Sequence, residues 1–412
     1  LERKLSKLFF RLPVLLALAI VANLWLVFVG NSGNANPMGD LYFAYQPWAN
    51  QVLQQNMMLG ISVPWVYPYP ALVPMLLANL VWPGHLADVW LAGYAALMLA
   101  ALSTFVLYKP TDAAALKRRY LAAYAWVGLT VALGPVAISR IDSVSVLLAM
   151  LGALAIVTGS RVGATAFFTF ASWLKIWPIA MFVAIASHSK NWLRPVQVGA
   201  AISAGILFVG VVLGGNGALL SFVTGQTSRG IQIESPAATP WLIAAALGAV
   251  DAGSFYNQKL MTFEAFGPGT AETAFWLGPI QAGAVLITVA LGFLANRKAI
   301  TQVAQNNVIV WTAFTATMDL IFFNKVGSPQ FMAWLAVPVV LGILLGVERW
   351  RLAIALVFAM SLLTWLIYPT IYGGILGGDL GPTMVLVLRN LLELAALVYA
   401  NYRLNALAMA KN

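Results

Sequence analysis

Long apolar runs separated by short polar breaks set the pattern of this 412-residue chain. Runs near 12–30, 87–108, 120–139, 143–159, 195–214, 271–295, 306–323, 330–346, 350–368 and 382–400 approach the roughly 20 residues that an α-helix needs to cross a bilayer. They are continuous Leu, Ala, Val and Ile stretches, as in RPVQVGAAISAGILFVGVVLGG. A transmembrane barrel would instead show alternating segments of about ten residues. The run from 162 to 187 is interrupted by WLKIWP, and a lysine followed by a proline in mid-run predicts two short helices meeting at a break. The pattern therefore predicts an all-α polytopic membrane protein of about twelve transmembrane helices, with 1–412 forming one integral-membrane domain.

The opening LERKLSKLFFRLPVLLALAIVANLWLVFVG resembles a signal peptide. Its apolar part is too long for one, and no small-residue cleavage site follows, so it predicts the first transmembrane helix. Three connections stand out between runs: 31–86, 215–270, and 324–329 with its flanks. Loops of the first two lengths are uncommon unless functional. In the first, LYFAYQPWANQVLQQNMMLG predicts an amphipathic helix lying on the membrane surface, and VPWVYPYPALVPMLLANLVW predicts a Pro/Tyr turn and a second short apolar element. No fixed-period repeat marks a solenoid or a two-half transporter.

Composition agrees with the pattern: 61% of residues are hydrophobic and 9% charged, with 15 tryptophans and no cysteine. Thiol chemistry is excluded. The net charge of +10 would suit nucleic acid only if clustered on a soluble face, whereas here it lies in short loops between apolar runs, so no nucleic-acid partner is expected. Those loops (LERKLSKLFFR, KPTDAAALKRRY, GSR, HSKNWLR, NRK, VERWR and YRLNALAMAKN) hold most of the 23 Lys and Arg and are expected to be cytoplasmic, as are both termini. The exceptions are Arg140, Lys175, Arg229, Lys259, Lys325 and Arg389, which most of the 13 acids join on the outer side or in the membrane. This parity requires the broken run to cross twice and PWLIAAALGAV, 240–250, not to cross fully. Candidate chemistry then gathers on the non-cytoplasmic face of a plasma membrane.

Ionisable groups at membrane depth are costly and are candidates by default. Asp40, in NPMGDLYFAY, reads either as a helix cap or as a site carboxylate. Arg140 and Asp142, in ISRIDSVSVLLAM, are two apart and need not neutralise each other; Asp142 or Ser143 is equally suited to capping the next helix. Arg389 and Glu393, four apart, predict a structural ion pair. Lys175 reads either as snorkelling to headgroups or as binding phosphate. Arg229 and Glu234 form a surface salt bridge or contact a ligand. Asp319, Asn324, Lys325, Ser328 and Gln330 crowd around a Gly/Pro break. With two histidines, one of them His188 in a basic loop, a histidine-based metal site is not expected. No P-loop, dinucleotide fingerprint or nucleophile elbow is present.

Several of these segments together resemble the GT-C membrane glycosyltransferases, and among them the actinobacterial polyprenol-phosphate-mannose-dependent α-mannosyltransferases. The resemblance is carried by GDLYFAY, YPYP, SWLKIWP, RGIQIES and NKVGSPQFMAW, in that order, covering most of residues 37–338. It implies a polyprenyl-phosphate-mannose donor, a glycolipid or lipoglycan acceptor, contact with membrane lipids, and no metal or other cofactor. Carried onto this sequence, Asp40 would be the general base of an inverting displacement. Lys325 and Lys175, with Arg140 and Arg229 behind them, would bind the donor phosphate. Tyr42, Tyr45, Tyr67, Tyr69, Asp142, Glu234, Asp319, Asn324, Ser328 and Gln330 would contact substrate. Some relatives carry histidine where this chain has Gln330. Two alternatives stay open: the same fold using arabinofuranose or glucose on the lipid carrier, and a lipid-linked-sugar transporter or flippase, which predicts charges near mid-membrane.

Overall fold

A computed structural model describes residues 9–32, 36–189, 191–225, 229–258 and 260–410. Arg3, Lys4, Lys7, Lys190, Lys259 and Lys411 of the charge reading lie outside them. The described chain is mostly helical. Helix α1 (Leu12–Asn31) is followed by a π-helical turn (Leu41–Tyr45), α2 (Gln46–Gln55), α3 (Leu72–Val81), α4 (Leu86–Leu107) and α5 (Ala113–Leu133). Then come α6 (Ile141–Val157), α7 (Arg161–Leu174), α8 (Ile179–His188), α9 (Leu193–Val212) and the short α10 (Thr239–Ala246). A hairpin of β1 (Gly253–Asn257) and β2 (Thr262–Phe266) precedes α11 (Thr270–Lys298), α12 (Gln302–Phe322), α13 (Ala336–Leu345), α14 (Arg351–Trp365) and α15 (Leu380–Met409).

Helix starts follow local chemistry. Asp112 caps α5 by accepting from the Ala115 N–H (2.7 Å), while Ser160 and Thr301 do the same for α7 and α12. At the far end of α5, Gly134 takes a positive φ of 76°, and a side chain there would meet the Trp365 ring. The run 162–187 does break at Lys175–Pro178, giving α7 and α8 as separate helices. Within the mostly helical fold, the connection 215–270 carries one short two-stranded hairpin: β1 and β2 pair antiparallel, and Gln232 bridges to Glu264 at its edge. The sequence of β2, TFEAF, is too short for periodicity to separate strand from loop.

Among the described residues, six segments are long and apolar enough to cross a membrane: α1, α4, α9, α11, the kinked stretch Arg351–Leu376, and α15. Their outward faces carry Leu24, Phe28, Phe208, Val212, Phe275 and Trp276, all exposed. A surface this apolar is suited to lipid rather than water. The interior is packed around Phe105, Trp126, Phe168, Trp177, Trp311 and Phe314, each nearly inaccessible.

The basic loops meet at one end of the bundle. Arg118 Nε donates to the Leu344 carbonyl (3.2 Å), Asn306 Nδ2 to the Leu345 carbonyl (3.5 Å), and the Tyr399 hydroxyl to the Arg349 carbonyl (2.7 Å). Helix α7 starts at this basic end with Arg161 and finishes with Lys175 as its C-terminal boundary. At 1.5 Å per residue its 14 residues span about 21 Å, so Lys175 and the groups around it occupy the opposite end.

Candidate functional site

At that opposite end two ion pairs sit next to each other. Arg140 is the N-cap residue of α6, in extended conformation (φ −114°, ψ 155°) and 7% exposed. Its guanidinium pairs with the Asp40 carboxylate and donates to the Pro37 carbonyl (3.3 Å), and the Tyr368 hydroxyl faces it. Two residues on, in the first turn of α6, Asp142 turns Oδ2 toward Lys175 Nζ (3.5 Å) and accepts from Trp334 Nε1 at Oδ1 (2.7 Å). A first-turn carboxylate is also favoured by the helix dipole.

These positions differ from the simpler readings. Asp40 is in helical conformation (φ −61°, ψ −31°) and makes no side-chain cap. A cap is worth about 1 kcal/mol, whereas a buried guanidinium without a counter-charge costs several, so the carboxylate goes to Arg140. Asp142 and Ser143 do not cap α6: the Ser143 hydroxyl donates to the Arg140 carbonyl, and Asp142 faces the bundle interior. Lys175 does not snorkel. It is 15% exposed, and its ammonium lies 4.6 Å from the Tyr67 ring centre and 5.9 Å from that of Phe331, within cation–π range. Behind it, Trp334 stacks between Phe331 (4.0 Å) and Trp177 (5.7 Å).

Tyr67 links this group to the connection 215–270. It lies beside the Tyr45 hydroxyl and in the field of Arg229, which in turn neighbours Glu264 and Lys325. Burial holds the Arg229 and Lys325 cations below their ordinary pKa; for Lys325 the adjacent Arg229 adds to this and Glu264 opposes it. Glu264 is fixed by the Gly230 N–H (3.1 Å) and Asn257 Nδ2 (2.9 Å). The two loops are stitched together where the Gln232 N–H donates to the Lys325 carbonyl (2.8 Å) and the Ser235 hydroxyl to the Asn324 carbonyl (2.7 Å). The Ser328 hydroxyl adds a longer bond to Gln232 Oε1 (3.4 Å). Gly327 is required at this seam, since a Cβ there would collide with the Ser235 backbone.

The result is a run of alternating charge, Asp40, Arg140, Asp142 and Lys175, continued across Tyr67 by Arg229, Lys325 and Glu264. Four cations face three carboxylates, with aromatic rings interleaved. Asp40 is the accessible end, its side chain 39% exposed. Such a group can hold a phosphate through the guanidinium forks and ammonium groups, and can take a proton at Asp40.

Other candidates lie apart or serve the frame. Tyr42 is 41% exposed and faces Asp88. The Tyr69 hydroxyl donates to the Ile206 carbonyl (2.7 Å), and the Tyr45 hydroxyl accepts from the Ile141 N–H (2.8 Å), which positions Arg140. Glu234 is buried: its carboxyl accepts from the Tyr372 hydroxyl (2.9 Å) and its carbonyl from Arg389, which pairs with Glu393 as its spacing predicts. Burial pushes the Glu234 carboxyl up. Asp319, 2% exposed, accepts from the Thr288 hydroxyl (2.6 Å) between α12 and α11. Asn324 shapes its own turn, bonding the Leu320 carbonyl and the Val326 N–H, and Gln330 is buried in a tight helical turn (Pro329–Leu335).

Tyr368, Glu264, Phe331 and Trp334 belong to the group but were not singled out in the sequence. Phe331 and Trp334 do fall in the NKVGSPQFMAW segment, and Glu264 is a lone acid among aromatics in TFEAF. Comparison of the chain with protein-family models, curated proteins and solved structures finds no match.

Proposed function

We propose that this chain is a GT-C-type membrane glycosyltransferase of about twelve passes that moves a mannosyl residue from polyprenyl-phosphate-mannose to a glycolipid or lipoglycan hydroxyl on the non-cytoplasmic face. The observation that carries this reading is the Asp40–Arg140 ion pair, contiguous with Asp142–Lys175 and flanked by Arg229 and Lys325. A half-exposed carboxylate beside one buried and three partly buried cations matches the two demands of the reaction, a proton acceptor and a counter-charge for a lipid phosphate.

In the resting arrangement Arg140 occupies the Asp40 carboxylate. The donor phosphate is a better bidentate partner for a guanidinium and competes for Arg140, joined by Lys175, Arg229 and Lys325. Asp40 is then released toward the acceptor. The acceptor oxygen bonds to the anomeric carbon as the bond from that carbon to the phosphate oxygen breaks. The proton passes to Asp40, and the electron pair leaves with the polyprenyl phosphate. One displacement inverts the anomeric centre and needs no covalent enzyme intermediate.

The transporter alternative expects charges at mid-membrane. It is disfavoured because this group gathers at one end of α7, about 21 Å from the basic end. The test is transfer by purified protein in liposomes from radiolabelled polyprenyl-phosphate-mannose to extracted acceptor lipids, alongside polyprenyl-phosphate arabinofuranose and glucose. Transfer of mannose that is lost in Asp40→Ala supports the reading. No transfer from any of the three donors, or full activity in both Asp40→Ala and Asp40→Asn, overturns it.

A further inference from the structure

A cavity of about 1120 Å³ opens at the basic end, away from the charged group around Asp40. Helices α9 and α11 both pack on α8, and the cavity lies in the groove between them, against the C-terminus of α8 and the N-terminus of α7. Three arginines line it: Arg161 in the first turn of α7, Arg194 in the first turn of α9, and Arg297 in the last turn of α11. No carboxylate is among its lining residues. The positive dipole ends at the starts of α7 and α9 are offset by the negative ends of α8 and α11, so the arginines supply the net positive charge.

Inside this cationic rim sits His188, the last residue of α8, which also lines the cavity. It is 8% exposed, and its Nδ1 has no hydrogen-bond partner. A buried ring nitrogen left unpaired is costly unless something outside the chain satisfies it. The outer wall is apolar: Trp192 and Ile300 are 48% and 80% exposed, on faces suited to lipid. The volume far exceeds what a bare inorganic anion fills and slightly exceeds the roughly 300–1,000 Å³ of small-molecule sites, which leaves room for a headgroup with the start of its chains.

We propose that this cavity binds the phosphate group of an anionic lipid, with Arg161, Arg194 and Arg297 holding the phosphate oxygens, His188 bonding from the floor, and Trp192 and Ile300 flanking the acyl chains. The site stands independently of glycosyl transfer. It gives the bundle a lipid-anchoring point at the end of α7 opposite Lys175.

Native mass spectrometry of the delipidated full chain tests it, with short-chain phosphatidic acid, short-chain phosphatidylcholine and inorganic phosphate as probes. Phosphatidic acid is expected to bind, phosphatidylcholine far less, and inorganic phosphate to displace the lipid only in large excess. Each arginine near an anionic group is worth roughly a factor of five, so the triple variant R161Q/R194Q/R297Q is expected to bind about a hundredfold more weakly. Arg194→Gln alone, at an exposed position, serves if the triple variant does not fold, with a loss of about fivefold. His188→Gln is expected to weaken binding as well, while R349Q/R351Q, which removes charge at the same end but outside the cavity, is not. Equal weakening by R349Q/R351Q would show general surface attraction and overturn the proposal. So would unchanged binding in the cavity variants, or displacement by an equal concentration of inorganic phosphate.

Discussion

Arg140 holds the carboxylate of Asp40, so the residue that opens α6 is locked to the turn that follows α1. The pair joins a buried cation to a half-exposed acid, an asymmetry that lets an arriving anion replace the acid without leaving the cation bare.

Removing the acid tests catalysis directly. Asp40→Asn is expected to lower turnover by about two to four decades, the usual worth of a positioned base, while the protein remains folded and donor binding persists. Single-turnover transfer and donor binding on the same preparation separate the two effects. Loss of binding with turnover would make Asp40 a structural partner of Arg140 only.

The Asp142–Lys175 pair is expected to act as a stability element. Asp142→Ala leaves a largely buried ammonium and the Trp334 N–H without their acceptor, which should cost about 3–5 kcal/mol. Lys175→Ala alone should also destabilise, and the double variant less than the sum of the two. Thermal unfolding in detergent measures the cycle; additive losses would show that the pair is not coupled.

Lys325 supplies a pH signature. Burial, with the adjacent Arg229, places its folded pKa below 10.5, so its charge fades as pH rises through that depressed value. Donor affinity should fall over the same interval. Stability should move the other way: the unfolded chain holds the proton more tightly there, so unfolding becomes harder as pH rises from the folded value toward 10.5. Lys325→Arg keeps the charge and should flatten the affinity profile. A wild-type profile that is already flat up to pH 10.5 would remove Lys325 from donor binding.

Gly327 tests the seam between the 229–235 and 324–328 segments. Gly327→Ala forces the 324–328 turn off the Ser235 backbone and breaks the bonds from Gln232 and Ser235. Transfer should drop by at least tenfold through displacement of Lys325 and Arg229, with a small change in unfolding temperature. Faster proteolysis between 229 and 258 would report the loosened loop.

The helices were legible because bilayer length and apolar runs are local properties: α1, α4, α9 and α11 start and stop within a few residues of their hydrophobic limits. The break between α7 and α8 was legible from one lysine and one proline. The partners of Lys175 were not, since Tyr67, Asp142 and Trp334 come from three distant segments and their meeting depends on tertiary packing. Asp40 read equally as a cap or as a site carboxylate because a Gly-Asp step before a helix permits both, and its pairing with Arg140 rests on tertiary packing. The β1–β2 hairpin was hidden for a related reason: strands of five residues carry too little pattern to outweigh a loop assignment.

The contact from Arg389 to the Glu234 carbonyl orders events during synthesis. Arg389 lies in α15, the last helix of the described chain to leave the ribosome, while Glu234 belongs to the loop carrying Arg229. Until α15 packs beside α12 and α14, that loop lacks one of its fastenings. A chain in which α15 has not yet packed therefore holds this loop less firmly than the folded protein does.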